Sequence, residues 1–199
     1  PLGGVEEVGR NMTAIEFRGD ILILDCGIMF QSEETPGIDY ILPNTRYLEE
    51  RREKIRAIVV THGHLDHIGA IPFIAERLGN PPIYTRNLTM LMIKKRQEEF
   101  PHVPTLDCRI VEKEDKIAIS DNLKLRFFSV THTIPDSMGV IIETPVGSVI
   151  HAGDWTMERN KEGIAHVRYD HLVNVPKPTV LMLESLGALK EGRHMTHEE

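Results

Sequence analysis

Apolar residues come mostly in short runs bounded by turn residues, the pattern of strands, and only a few longer segments carry a helical pattern. Residues 12–17 alternate loosely, Arg18-Gly19-Asp20 makes a turn, and 21–24 is an apolar run ending in Asp25. The pair predicts a hairpin whose second strand is buried on both faces. Residues 37–43 read as an irregular loop, and the dense mixed charge of 45–54 predicts a solvated helix. A strand over 55–60 runs straight into Thr61-His62. A helix is expected over 68–78, stopped by Gly79-Asn80-Pro81-Pro82, then a strand over 83–85 and a helix over 87–100 closed by Pro101. The second half is mostly strand: 109–112, 116–119, 123–130, 139–143, 148–151 and 179–183. The turn Thr144-Pro145-Val146-Gly147 joins two of these strands as a hairpin. At the end, Thr196-His197-Glu198-Glu199 fits the capping box that opens a helix. Strands that do not alternate strictly with helices predict a sheet-rich α/β sandwich rather than a doubly wound parallel sheet.

Composition agrees with one globular domain: 199 residues, 41% apolar and 27% charged. A net charge of −7 excludes a nucleic-acid clamp that works by bulk positive charge. No apolar run approaches the roughly 20 residues of a membrane-spanning helix, so no membrane partner is expected. Two cysteines, Cys26 and Cys108, cannot build a disulfide framework, and they point to a reducing, cytoplasmic setting. Neither has metal or redox spacing, and both read as small core residues. The chain opens at Pro1 and stops where a helix begins, so the expectation is a fragment: a domain over 1–184, and over 185–199 the start of a connection into another domain. The unusual count is 10 histidines.

His62-Gly63-His64-Leu65-Asp66-His67 follows directly on the strand over 55–60. His62 and His64, two apart in a turning segment, can aim both imidazoles at one ion; Asp66 and His67 can reach a second ion close by. A single histidine in such a place ordinarily packs or caps. Four ligand-type residues within six positions do not reduce to that. Asp25, His132 and Asp154 also fall at strand ends, where polar side chains open from one edge of a sandwich. His151 and Asp136 lie nearby in sequence and read as supporting residues. Lys94-Lys95-Arg96 is followed by Glu98 and Glu99 and reads as a solvated helical face rather than a phosphate patch. The Gly3-Gly4 segment is no phosphate-cradling loop, because no Gly-Lys-Ser/Thr follows.

This histidine cluster, with Asp25, His132 and Asp154 in that order, resembles the metallo-β-lactamase superfamily. The segments Gly3-Gly4-Val5-Glu6-Glu7-Val8-Gly9-Arg10-Asn11, Gly37-Ile38-Asp39-Tyr40 and His132-Thr133-Ile134-Pro135-Asp136-Ser137 are similar to the ribonuclease J family of its β-CASP group. The resemblance runs from Leu2 to about Leu183. It implies an αββα four-layer sandwich, incomplete at its C-terminal side, with a dinuclear metal site. His62, His64 and His132 would bind the first ion, Asp66 and His67 the second, and Asp154 would bridge. Asp25 would orient a ligand histidine, and Asp66, His67 and Asp25 would form the catalytic set. The family's remaining histidine ligand lies beyond an inserted β-CASP domain; His194 and His197 come too early and read as exposed histidines. The N/O donor set suits Zn²⁺ first and Mn²⁺ as the alternative.

The implied activity is hydrolysis of RNA phosphodiesters by a hydroxide activated between two ions, both 5′-to-3′ from an end and internally, in the cytoplasm, by dimers or tetramers. Two other readings stand beside it: a small-molecule hydrolase such as a glyoxalase II-like thioesterase or a β-lactamase, and an inactive metal-binding fragment. The 37–40 and 132–137 segments favour RNA.

Overall fold

The computed structural model describes residues 1–199 except 32, 34, 158–166, 190 and 192–199. In chain order they form β1 (Thr13–Phe17), β2 (Asp20–Leu24), β3 (Met29–Phe30), β4 (Tyr40–Ile41), α1 (Arg46–Glu49), β5 (Ile55–Val59), α2 (Leu65–Ile68) and α3 (Ile71–Ile74). There follow β6 (Ile83–Thr85), α4 (Asn87–Gln97), β7 (Cys108–Ile110), β8 (Lys116–Ala118), β9 (Lys124–Ser129), β10 (Met138–Thr144), β11 (Gly147–His151) and β12 (Thr179–Met182). His194, His197 and the capping box at 196–199 lie outside the described residues.

Two five-stranded sheets build the domain. One runs β1-β2-β5-β6-β7, with β1 antiparallel to β2 and the remaining pairs parallel. The other runs β12-β11-β10-β9-β8, antiparallel except for β12, which joins β11 in parallel. β12 is largely exposed and forms an edge.

The apolar run in β2 is continuous because the strand is buried on both faces. Leu22 and Leu24 face the second sheet with Ala57, Val59, Leu125, Phe127, Val140 and Ile142. Ile21 and Ile23 face the other way, against Ile58, Ile68, Ile71, Ile74 and Ile93 under the helices. Each such side chain contributes about 1.5–3 kcal/mol by leaving water. The outer face of the second sheet, with Phe128, Ile141 and Ile150, packs against Trp155, Tyr169, Leu172 and Val175. Part of that cover is a 3₁₀ turn at Asp170–Asn174. The order is therefore helices, sheet, sheet and a thin outer cover. No helix among the described residues is long and apolar enough to cross a membrane.

Four local expectations change. Of the helix expected over 68–78 only one turn, α3, is helical besides Ile68, which ends α2; the Ala70 N–H between them donates to the Cys26 carbonyl at 2.9 Å and ties the chain to its neighbour. Residues 45–54 split into α1 and a 3₁₀ turn at Arg52–Lys54, with Leu48 fully buried. The loop over 37–43 contains β4, which pairs antiparallel with β3. Arg96 is not on a solvated face: it is buried, with its guanidinium 4.9 Å from the Phe100 ring centre and 5.3 Å from that of Tyr40. Lys95 does behave as expected, exposed and paired with Glu98 at 2.6 Å.

Candidate metal centre

The strand ends after β2, β5, β9 and β11 meet at one edge of the sandwich. Residues 26–28 run between the N-terminal segment and the histidine motif and hydrogen-bond to both. Cys26 N–H donates to the His67 carbonyl at 2.8 Å and Ile28 N–H to that of Leu65 at 3.1 Å; on the other side Gly27 N–H donates to Asn11 and Arg10 N–H to Ile28. Gly27 has no room for a side chain, since a Cβ there would sit 1.5 Å from the Asp66 carbonyl oxygen. On the opposite wall, a bridge between Thr131 and Thr156 ties the segment of His132 to that of Asp154. Asp136 takes the Leu88 N–H at 3.0 Å and Arg86 at 3.3 Å, holding the His132 loop against the start of α4.

Three imidazole nitrogens converge. His62 Nε2 lies 3.1 Å from His64 Nδ1, and His132 Nε2 lies 3.3 Å from the same atom. A second group, His62, His67 and Asp154, shares His62 with the first, and in each group the ligand atoms lie within 4.8 Å of one another. Asp154 turns one carboxylate oxygen to each side, Oδ1 at 3.5 Å from His67 Nε2 and Oδ2 at 3.8 Å from His132 Nε2. Asp66 Oδ2 is 3.5 Å from His67 Nε2. All six residues read as ligands in the sequence are thus in one cluster. His151 Nε2 is 3.7 Å from Asp25 Oδ2, behind the cluster.

Asp25 touches none of the converging nitrogens. Its carboxylate accepts the Thr61 N–H at 2.8 Å and the Thr61 hydroxyl at 3.0 Å, and pairs with His67 Nδ1 at 2.8 Å. The contact with Nδ1 leaves Nε2 of His67 facing the cluster. The Thr61 hydroxyl, which gives its one proton to Asp25, accepts from His62 Nδ1 at 3.0 Å and so leaves Nε2 of His62 free as well. Thr61 and Asn11 are the contributors that residue-by-residue reading does not pick out. The Asn11 amide nitrogen stands 3.1 Å from both Asp66 Oδ2 and His67 Nε2. Only its place in the glycine-rich opening segment marks it in the sequence.

Electrostatics follow from burial and crowding. Burial, reinforced by a positive His67, pushes His62 down to about 3. Burial lowers His132 as well. It also opposes charge on His67, but Asp25 and Asp154 outweigh it and raise that ring to about 10. Burial favours a neutral Asp25, yet His67 and His151 hold it well below the usual carboxylate range. Asp154 is lowered too, since its bond to His67 overcomes burial.

Ring nitrogens aimed at one another across 3.1–3.3 Å offer His64 Nδ1 more partners than it can bond at once. Beside them are two carboxylates. Such a set is stabilised by a positive charge at its centre, and its all-N/O donors fit one or two divalent cations.

The fold and this cluster agree with what the chain is similar to. The family model described as "Metallo-beta-lactamase superfamily" matches residues 5–190. A ribonuclease J of Thermus thermophilus is 40% identical over 163 residues, covering 79% of this chain and 28% of that protein. A ribonuclease J of Corynebacterium glutamicum is 40% identical over 158 residues, covering 79% of this chain and 22% of that protein. The chain thus spans about a quarter of the length of these curated relatives. Among solved structures, the short form of human tRNase Z superposes with a TM-score of 0.51 at 17% identity, covering 79% of this chain and 67% of that one. At that identity the likeness speaks for the fold alone. With the family model spanning nearly all of the chain, on a two-sheet sandwich whose histidines gather at one edge, this protein belongs to the metallo-beta-lactamase superfamily.

Proposed function

We propose that the chain carries the catalytic centre of a metal-dependent ribonuclease that hydrolyses RNA phosphodiesters. The observation that carries this is the pair of overlapping ligand groups sharing His62, with Asp154 turned to both. The choice of RNA over other substrates rests on similarity to proteins named ribonuclease J. His62, His64 and His132 would hold one divalent cation, His67 and Asp66 the other, and Asp154 would serve both; Zn²⁺ is the first choice and Mn²⁺ the second. When bound, such ions lower the pKa of water from 15.7 towards about 7 and neutralise charge on a phosphate.

The chain's own residues supply the rest. Asp66, partly exposed beside the cluster, takes a proton from the attacking water. The water oxygen then bonds to phosphorus as the bond from phosphorus to one bridging oxygen breaks, and the leaving oxygen takes a proton from solvent to become a hydroxyl. Asp25 holds His67 from behind, and Thr61 holds His62, so neither ring has to reorient during the reaction. The net charge of −7 is no obstacle, because two dications add about +4 where the phosphate sits. Cleavage from a 5′ end as well as internally, and assembly into dimers or tetramers, complete the proposal. So does a cytoplasmic setting, which the unpaired Cys26 and Cys108 support.

The test compares metal-dependent cleavage of end-labelled RNA with thioester and β-lactam hydrolysis, using the protein that contains this chain. RNA cleavage lost on chelation and in Asp66→Ala is expected. Thioester or β-lactam turnover without RNA cleavage would overturn the proposal in favour of a small-molecule hydrolase.

A further inference from the structure

We infer that Asn11 is the positioning residue of the Asp66–His67 half of the centre, an inference that rests on the metal-centre reading above. Its amide nitrogen is 3.1 Å from Asp66 Oδ2 and 3.1 Å from His67 Nε2. Only the NH₂ group can face that way. With the carboxamide turned over, its oxygen would face the Asp66 carboxylate oxygen, which cannot donate.

The orientation is enforced from behind. A Cβ at Gly4 would lie 2.3 Å from Asn11 Oδ1, so the carboxamide oxygen occupies the space that Gly4 leaves. Gly4 also has φ of +82°, which only glycine adopts freely. Glu7 closes the loop around this arrangement: it accepts the Gly4 N–H at 2.9 Å and takes Arg10 through two bonds of 2.6 and 2.7 Å. Meanwhile the Asn11 backbone N–H donates to the Asp66 carbonyl at 3.0 Å. One residue therefore grips Asp66 by main chain and side chain across 55 positions of sequence. The main-chain bonds already fix the segment. Among the described residues, the side chain finds its hydrogen-bond partners in the centre itself.

The amide nitrogen thus stands at the junction of Asp66 and His67, which are 3.5 Å apart. Its bond to Oδ2 fixes the Asp66 carboxylate before any cation arrives, so in the proposed centre Asp66 would meet the ion already oriented.

The experiment measures Zn²⁺ affinity of the full chain by chelator competition and the ligand-field spectrum after Co²⁺ loading. Asn11→Ala is expected to weaken cation binding by about 10- to 100-fold and to alter the Co²⁺ spectrum. Gly4→Ala, which displaces the carboxamide without removing it, should do the same, and it carries the comparison if Asn11→Ala does not fold. The loss should vanish when Asn11→Ala is added to Asp66→Ala and persist in full when it is added to His64→Ala. Unchanged affinity and spectrum with only a lower melting temperature would overturn the inference, as would a loss fully additive with that of Asp66→Ala. A parent chain that holds no divalent cation would overturn the metal-centre reading instead, before any variant is compared.

Discussion

The Asp25 carboxylate holds two histidines of the candidate centre at once, one directly and one through the Thr61 hydroxyl. Asp25→Ala should leave the buried His67 Nδ1 and the Thr61 N–H without partners. Each unsatisfied group costs about 1–3 kcal/mol, so denaturant unfolding of the metal-free chain should show a fall of several kcal/mol. Thr61→Val is a milder change: it keeps shape, loses the hydroxyl and should weaken Zn²⁺ binding by about tenfold, whereas Thr61→Ser should not. The ionisation states add a prediction with a sign. His67 is raised to about 10, so at neutral pH the metal-free ring holds a proton on the nitrogen that a cation needs. His62 is lowered to about 3 and is already free. Cation binding should therefore release about one proton from the histidines near pH 7 and strengthen as pH rises. Calorimetry in two buffers of different ionisation enthalpy reads that number directly; no release would show His67 to be neutral beforehand.

Among the elements, the strip 26–28 matters more than its length suggests, because it hydrogen-bonds to the N-terminal segment on one side and to the histidine motif on the other. Gly27→Ala drives a methyl group into the Asp66 carbonyl, where backbone cannot yield. It should cost more than about 3 kcal/mol, beyond ordinary overpacking, while Gly19→Asn, at φ of +83° with open space around it, should be nearly silent. Thermal unfolding of the two variants makes the comparison. The same region shows what could be read from sequence and what could not. The strands were legible because β2 and β10 carry the unbroken apolar runs 21–24 and 140–142 and turns bound them. Ile68, Ile71, Ile74, Ala75 and Leu78 are all buried, so the apolar stripe expected over 68–78 is real. The continuous helix expected there is not, since the backbone at Ala70 bonds across to Cys26, a tertiary contact that periodicity does not record. The histidine cluster was visible for the opposite reason: four of its six members are packed into six positions. Asn11 and Thr61 carry no such density. One reaches the site from 55 positions away, and the other looks like any threonine after a strand.

For the whole molecule, the centre joins both sheets, with His62 and His67 following β5 on one side and His132 and Asp154 following β9 and β11 on the other. A cation held there binds the folded state and not the unfolded one. At a free concentration 100 times its dissociation constant, it adds about 2.7 kcal/mol. For a domain of this size that is a rise of about 5–10 °C in melting temperature, to be lost on adding chelator. His62→Ala, which removes the residue shared by both ligand groups, should abolish that rise altogether.

β12 carries a different consequence. Val180 and Leu181 are 59% and 57% exposed on an edge strand, with Leu183 and Leu186 just beyond at 48% and 73%. No described strand pairs with its outer side. Unpaired amides beside a β-branched, uncharged run are a template for another copy of the same strand, and the expected result at high concentration is slow, irreversible clumping. Light scattering should climb with time and protein concentration, and Val180→Lys, a charge set on that seam, should keep the solution clear.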